Sequence, residues 1–457
     1  MFKIMLLFGL LLVTTSNHND PYYYGLKINV EQVSSEYVEF PSGNNKPYNL
    51  DTVSILNSQG EFKIPPNFRP HPTTARHQLE TDISVHPHNP DIMFGSAITY
   101  NVGGATGFSC GHYVTTDGGV TWFGDDTTVA NYGDPAPIID KDGRLLIGFI
   151  TQLGRVGTSS STNLGASWSS AIDIPGSKTS SDKEFMTTDG DSLSPYYGRT
   201  YMLYSELDSG KIFSSYSTNN GVSWTPKIKV SDPTRTPPHF NIGVDVITYN
   251  GIVYAVWGNS IINSQNSTED SLGFAKSTDG GNSWISVTNQ AANMNGIRTS
   301  SLINGIRANG LPRIDIDREG NLYVVTTEKN FSPALDNADI VLMKSTDQGS
   351  TWSRVRVNQN SAGSYEFFSV VDIDDYGAIN VCYFSTRNTP TNDSVEVYLS
   401  RSIDGGETFI DIKVSDHKTK PEPIGSIAAG YSGDYIGLAT GNGRIVPFWY
   451  EGGEISG

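Results

Sequence analysis

The chain has 457 residues, including 47 Gly and 23 Pro, with 11% aromatic and 17% charged residues and a formal net charge of −17 at pH 7. Abundant turn formers and few charges fit many short strands in one large domain. The acidic surplus excludes a nucleic-acid binder, whose phosphates it would repel, and two cysteines exclude a disulfide framework.

Residues 1–16 read as a secretion signal: Lys3 is a positive start, and Ile4 to Val13 is an apolar run too short to span a bilayer. No other segment reads as a membrane span, so the expected location is secreted, periplasmic or at the cell surface. Residues 17–76 form a linker or rim segment. Leu26 to Val30 alternates as one strand, and Lys63 to Arg76 is rich in Pro. From residue 77 to 457 the chain repeats a unit of a strand, a turn, a second strand, a variable loop and a third strand. A tight turn and a fourth strand complete each unit. Cys110 and Cys382 each sit in an apolar strand pattern and are expected as buried small hydrophobes.

The tight turn has one pattern, Ser/Thr-x-Asp/Asn-x-Gly-x-Ser/Thr-Trp/Phe. It occurs at Thr115–Trp122, Ser161–Trp168, Ser217–Trp224, Ser277–Trp284, Ser345–Trp352 and Ser402–Phe409. Measured between the acidic or amide positions the intervals are 46, 56, 60, 68 and 57 residues. Asp or Asn accepts backbone N–H bonds inside the turn, Gly supplies a positive φ, and the aromatic re-enters the next strand to pack between sheets. Six copies at domain-like spacing indicate a repeat architecture.

These turns resemble the Asp box, or BNR repeat, of secreted bacterial sialidases and related β-propellers, over roughly residues 77–450. The resemblance implies an all-β propeller of four-stranded blades. Unit openings near Asp82, Asp134, Glu184, Gly243, Arg313 and Ser369, with a boxless seventh near Asp434, favour seven blades over the sialidases' six. The last blade is then incomplete, or closed by N-terminal strands such as residues 22–40.

With four antiparallel strands per blade, the boxes lie on one face and the variable loops on the other, where function belongs. Starts of inner strands place Glu80, Asp82, Asp134, Glu184, Arg313, Tyr365, Glu366 and Asp434 there. Ends of second strands add Tyr100, Arg155, Glu206, Arg387, Tyr450 and Glu451. Candidate ligand-binding residues are therefore Asp82, Asp134, Arg155, Glu184, Arg313, Tyr365, Arg387, Asp434 and Tyr450. If there is catalysis, Asp134, Glu184, Glu206, Arg387 and Asp434 are the groups to test. No cofactor motif occurs. Asp-rich turns at Asp140, Asp315–Asp317 and Asp372–Asp375 invite calcium, but their spacing does not match a calcium loop.

The resemblance also implies a sialidase chemistry of three arginines, a tyrosine paired with a glutamate, and an aspartate acid. Where the first arginine belongs, this chain has Asp82. Tyr204 with Glu206, Tyr365 with Glu366 and Tyr450 with Glu451 are near in sequence, but adjacent strand residues point to opposite faces. The expected function is recognition of glycans, or of an extracellular protein, at the mouth opposite the boxes. The alternatives are an exo-acting glycoside hydrolase using mouth carboxylates or Tyr, and a surface adhesin or scaffold.

Overall fold

The computed structural model describes residues 53–70, 77–100, 107–128, 133–231, 239–263, 266–297, 303–331, 338–424, 430–451 and 453–454, together with the strands Met5–Phe8 and Leu11–Thr14. Alternating and continuous apolar runs between glycine turns make strands. Among the described residues there is no helix long and apolar enough to cross a membrane.

Six four-stranded antiparallel sheets follow in chain order as blades of a β-propeller. Their inner strands are His77–His86, Gly133–Ile139, Ser181–Thr188, His239–Tyr249, Arg313–Ile316 and Glu366–Ile373. A further sheet fills the gap between blades 6 and 1. Its inner strand is Gly437–Gly441, and Arg444–Glu451 pairs beside it. Met5–Phe8 and Leu11–Thr14 both pair antiparallel with Arg444–Glu451, and Leu11–Thr14 also pairs with Gly60–Ile64, which carries Val53–Asn57 at its edge. The ring thus closes through N-terminal strands; residues 22–40, the stretch named from the sequence for this closure, lie outside the described residues. The apolar run marked as a leader supplies the third strand of this sheet. Thr81 of blade 1 donates to the Phe448 carbonyl at 2.6 Å, and Thr440 donates to Asp372 of blade 6, so both seams of the closing sheet are bonded.

The six repeat turns share one geometry. In the fourth, Ser277 Oγ donates to Asp279 Oδ1 at 2.8 Å, and the Gly281 N–H donates back to Ser277 Oγ at 2.8 Å. Ser283 N–H and Oγ then donate to the two Asp279 oxygens at 2.9 and 2.6 Å. The glycine has a second reason beyond its positive φ. A Cβ at Gly221 would stand 2.4 Å from Leu146 of the preceding blade, and one at Gly349 would stand 2.2 Å from Phe274. Each turn therefore presses its backbone onto the previous blade. The tryptophans complete that contact: Trp224 Nε1 donates to Thr158 Oγ1 and Trp284 Nε1 to Ser214 Oγ, each at 3.0 Å across a seam. Asn220 reaches Asp142 in the inner turn of blade 2, and Arg199, just after the inner turn of blade 3, reaches the Gly280 carbonyl. The repeat turns and inner turns therefore share a face, as the topology requires. Both cysteines are buried and free.

Candidate functional site

At the opposite face the inner strands do not begin smoothly. Pairing with the second strand slips between Leu79 and Asp82, opposite Gly148 to Ile150, between Asp182 and Phe185, between Ile242 and Asp245, and between Phe367 and Val370. Each slip is a β-bulge with one residue in the left-handed region: Glu80 (φ 50), Asp134 (56), Lys183 (43), Gly243 (70) and Phe368 (55). A bulge re-aims its side chain. Four of these five positions carry a side chain where glycine would cost less.

Three adjacent bulges gather charge at the mouth. Glu80 is 2% exposed; its Oε1 accepts a hydrogen bond from Tyr431 Oη at 2.9 Å, while Oε2 has no partner. Burial, reinforced by Asp134 and Asp434, pushes the Glu80 carboxyl well above its ordinary range. Asp134 Oδ2 accepts the Lys183 backbone N–H at 3.0 Å. Glu184 is completely buried with both oxygens unpartnered, and burial first, then Asp134, raises its pKa strongly. Lys183 Nζ lies 4.2 Å from the ring centre of Tyr435 and 4.9 Å from that of Phe185. Burial, with Arg313 adding to it, pushes the amine down to about 8.

The closing sheet supplies the rest. Its approach segment runs Tyr431-Ser-Gly-Asp434-Tyr435. Gly433 (φ 84) lets the segment lie on Tyr450, whose ring atoms would be 3.2 Å from a Cβ there. Asp434 accepts Arg307 Nη2 at 2.7 Å and Asn309 Nδ2 at 3.1 Å, both from the loop before blade 5. Arg307 also stands 5.0 Å over the Tyr431 ring. Arg307 and Asp434 are only partly buried, so this pair, with Asp134, is the open rim over the buried Glu80, Glu184 and Tyr435. One step down the channel, Arg313 pairs with Asp245 at 3.0 Å and Asp82 at 3.3 Å. Burial lifts Asp82 to about 6 against the pull of Arg313.

Asp82, Asp134, Glu184, Arg313 and Asp434 thus converge, as the topology predicts. Tyr450 joins them as a wall, packed edge-on to Phe384 at 5.6 Å. The others are engaged elsewhere. Arg155 is surface-exposed and pairs with Asp173 of the outermost strand at 3.3 Å. Glu206 is held by Lys227 at 2.5 Å, and Tyr365 packs against the main core while its N–H bonds Thr386. Arg387 pairs with Asp411 and lies 3.9 Å over the Tyr398 ring, between outer strands of blade 6. Of the sequence-adjacent Tyr and Glu pairs, none forms; the pair that does is Tyr431 with Glu80, 351 positions apart. Tyr431, Lys183, Arg307 and Asn309 were not singled out from the sequence. The first turn-forming glycine after Tyr431 was the only local sign. The Asp-rich turns are hairpins: Asp140 Oδ1 accepts the N–H groups of Asp142 and Arg144, and Asp374 Oδ1 those of Tyr376 and Ala378. Among the described residues, no three His, Cys, Asp or Glu side chains form a metal-binding group.

No family model matches the chain, and no curated protein does. Solved β-propellers do. A PL25 polysaccharide lyase, an ulvan lyase, aligns with a TM-score of 0.50 at 12% identity, covering 81% of this chain and 89% of that one. The NanB sialidase of Streptococcus pneumoniae aligns at 0.44 and 11% identity, covering 78% and 74%. The intramolecular trans-sialidase of Ruminococcus gnavus aligns at 0.40 and 10%, covering 75% and 95%. At 12% identity the likeness to the lyase speaks to the fold alone.

Proposed function

We propose that this is an extracytoplasmic glycan-recognition propeller whose binding site is the axial mouth around Glu80, Asp134, Lys183, Arg307, Tyr431 and Asp434. The observation that carries this reading is the convergence of strained, bulge-borne polar residues with tyrosines at one partly open point. Residues held in unfavourable backbone conformations persist where the surrounding structure has a use for them. Aromatic rings beside hydrogen-bonding groups suit a sugar's apolar face and hydroxyl rim.

Charge selects among sugars. Arg307 is committed to Asp434 and Arg313 to Asp82 and Asp245. Arg155 and Arg387, the other candidate clamps, are spent on Asp173 and Asp411. An acidic sugar would meet Asp134 and Asp434 at the rim, with Arg307 already paired to Asp434, so neutral and amino sugars are the expected ligands. One observation favours a hydrolase as the second reading: the Glu80 carboxyl, pushed well above its ordinary range by burial, has the Asp134 carboxyl nearby, and two neighbouring carboxyls of unlike environment suit an acid and its partner.

The test is calorimetric titration with neutral, amino and sialylated oligosaccharides, with reducing-end release followed in parallel. Binding of neutral or amino sugars that weakens at least tenfold in Arg307→Met supports the reading. Affinity unchanged in that variant, or turnover of an aryl sialoside by the wild type, would sink it. Release of reducing ends from a bound neutral glycan would promote the hydrolase reading.

A further inference from the structure

The repeat turns make one error in an otherwise consistent pattern. The residue three positions before each turn's first hydroxyl faces the aromatic of the next blade. Where it carries a hydroxyl, as Thr158 and Ser214 do, the tryptophan N–H donates to it across the seam. Where it is Phe274, Trp352 turns its N–H to the Gly349 carbonyl at 3.2 Å and packs edge-on to the Phe274 ring at 5.8 Å. Between blades 1 and 2 the position is His112. Its Nδ1–H donates to the Thr127 carbonyl at 3.1 Å, and its ring packs edge-on to Trp168 at 5.3 Å. Trp168 Nε1 is buried with no hydrogen-bond partner, whereas Trp122, Trp257 and Trp449 also place theirs, on Gly119, Asn289 and Glu451. An unsatisfied buried N–H is destabilising and calls for an explanation.

A cleft of about 630 Å³ opens at the same seam. It is walled by Trp168, Phe123 and Leu164, and rimmed by Asp125, Thr127 and Ser167. Trp168 is partly exposed there. That volume falls in the range of small-molecule sites. One aromatic wall with a carboxylate and hydroxyls on the rim does not suit a wholly apolar guest, which would strip water from Asp125 without replacing it. A ring with an apolar face and hydroxyl edges suits both.

We propose that this inter-blade cleft is a second saccharide site, distinct from the axial mouth, which takes a neutral pyranose against Trp168. A sugar oxygen reaches the buried Trp168 N–H by displacing the His112 ring, and then fills the role that Thr158 and Ser214 have at the neighbouring seams. The full chain labelled with ¹⁵N-tryptophan tests this, because each indole N–H gives its own resonance and Trp168→Phe assigns the relevant one. The probes are methyl glucoside, methyl galactoside and methyl N-acetylglucosaminide, raised to about 10 mM, near saturation for a Kd of about 1 mM. The Trp168 indole is expected to shift with at least one probe. Glu80→Gln should keep that shift, which separates this site from the mouth. His112→Thr supplies the hydroxyl found at the other seams and should weaken the response at least tenfold while the remaining indoles stay in place. Absence of any Trp168 shift, uniform movement of all indoles, or a response unchanged in His112→Thr would overturn the proposal.

Discussion

Replacing Tyr431 by Phe removes one oxygen and nothing of the ring. In the folded protein that oxygen is the donor to Glu80 Oε1 at 2.9 Å, and the other Glu80 oxygen already lacks a partner. Tyr431→Phe therefore removes the hydroxyl donor from a carboxyl that is 2% exposed. Stranding a buried polar group costs about 1–3 kcal/mol, more than the 0.5–1.5 kcal/mol net worth of an average hydrogen bond. The companion change, Glu80→Met, has the opposite sign. It removes the stranded acceptor and the repulsion from Asp134 and Asp434, keeps the volume, and leaves the Tyr431 hydroxyl as the orphan. Adding Tyr431→Phe to Glu80→Met then removes that orphan and should be neutral or stabilising. The prediction is thus a change of sign between two backgrounds, with a coupling of about 1–3 kcal/mol. Thermal unfolding of the four proteins at one pH measures it, at about 2 °C or less per kcal/mol for a domain this large. Equal losses in both backgrounds would show that Tyr431 and Glu80 do not act as a pair.

Two further predictions follow from burial. Asp82 is raised to about 6 and Asp315 and Glu366 to about 7, in each case chiefly by burial; these native carboxyls keep protons that the unfolded chain releases from about pH 4, so stability should fall as pH rises from about 4 to 7, and a Tm that climbed across that interval would refute the burial of these groups as neutral acids. Trp224 is 7% exposed and bonded across its seam, whereas Trp168 and Trp284 are only partly buried; Trp224→Ala should cost about 3–5 kcal/mol and Trp168→Ala about half of that, and denaturant titration ranking them the other way would contradict the seam packing.

What could be read from the sequence is what short-range chemistry decides. Asp279 and its five counterparts bond within their own turns, so the turns, their face and the inner strand starts follow from local pattern. Asp82, Asp134, Glu184, Arg313 and Asp434 could be placed at the mouth because strand order alone brings them there. Partners were a different matter. Arg387 begins at the right strand end, but a long side chain reaches sideways as readily as inward, and Asp411 lies in that direction. Arg155 likewise finds Asp173. The closing sheet depends on strands some four hundred residues apart, and no period in the sequence records which edge meets which. The Tyr431 bond to Glu80 is of the same kind, since neither residue carries a motif. The bulges are legible only in part. Gly243 advertises one, but a left-handed Glu80 or Lys183 gives no warning in its own residue type.

Those bulges decide where function sits. On the repeat face the devices of folding serve the turns: each turn has a glycine at positive φ, although Leu164, Asn220 and Gln348 are left-handed beside it, the Asp or Asn bonds inside its own turn, and the indoles are satisfied save at the one seam where a cleft opens. On the mouth face the left-handed positions carry charged side chains instead, at Glu80, Asp134 and Lys183. Glu80 and Lys183 occupy left-handed positions that cost about 1–2 kcal/mol relative to glycine. Glu184 is buried with neither oxygen bonded, and Lys183 lies over rings with its amine pushed down to about 8. Stability alone would have placed glycine at the bulges, as at Gly243, and an apolar residue at position 184. Departures from local preference that cluster, share a charge environment and surround an opening are unlike scattered defects, because each would be relieved separately by a single substitution. Their concentration at Glu80, Asp134, Lys183 and Glu184 is the physical ground for assigning binding to the axial mouth and structure to the repeat turns.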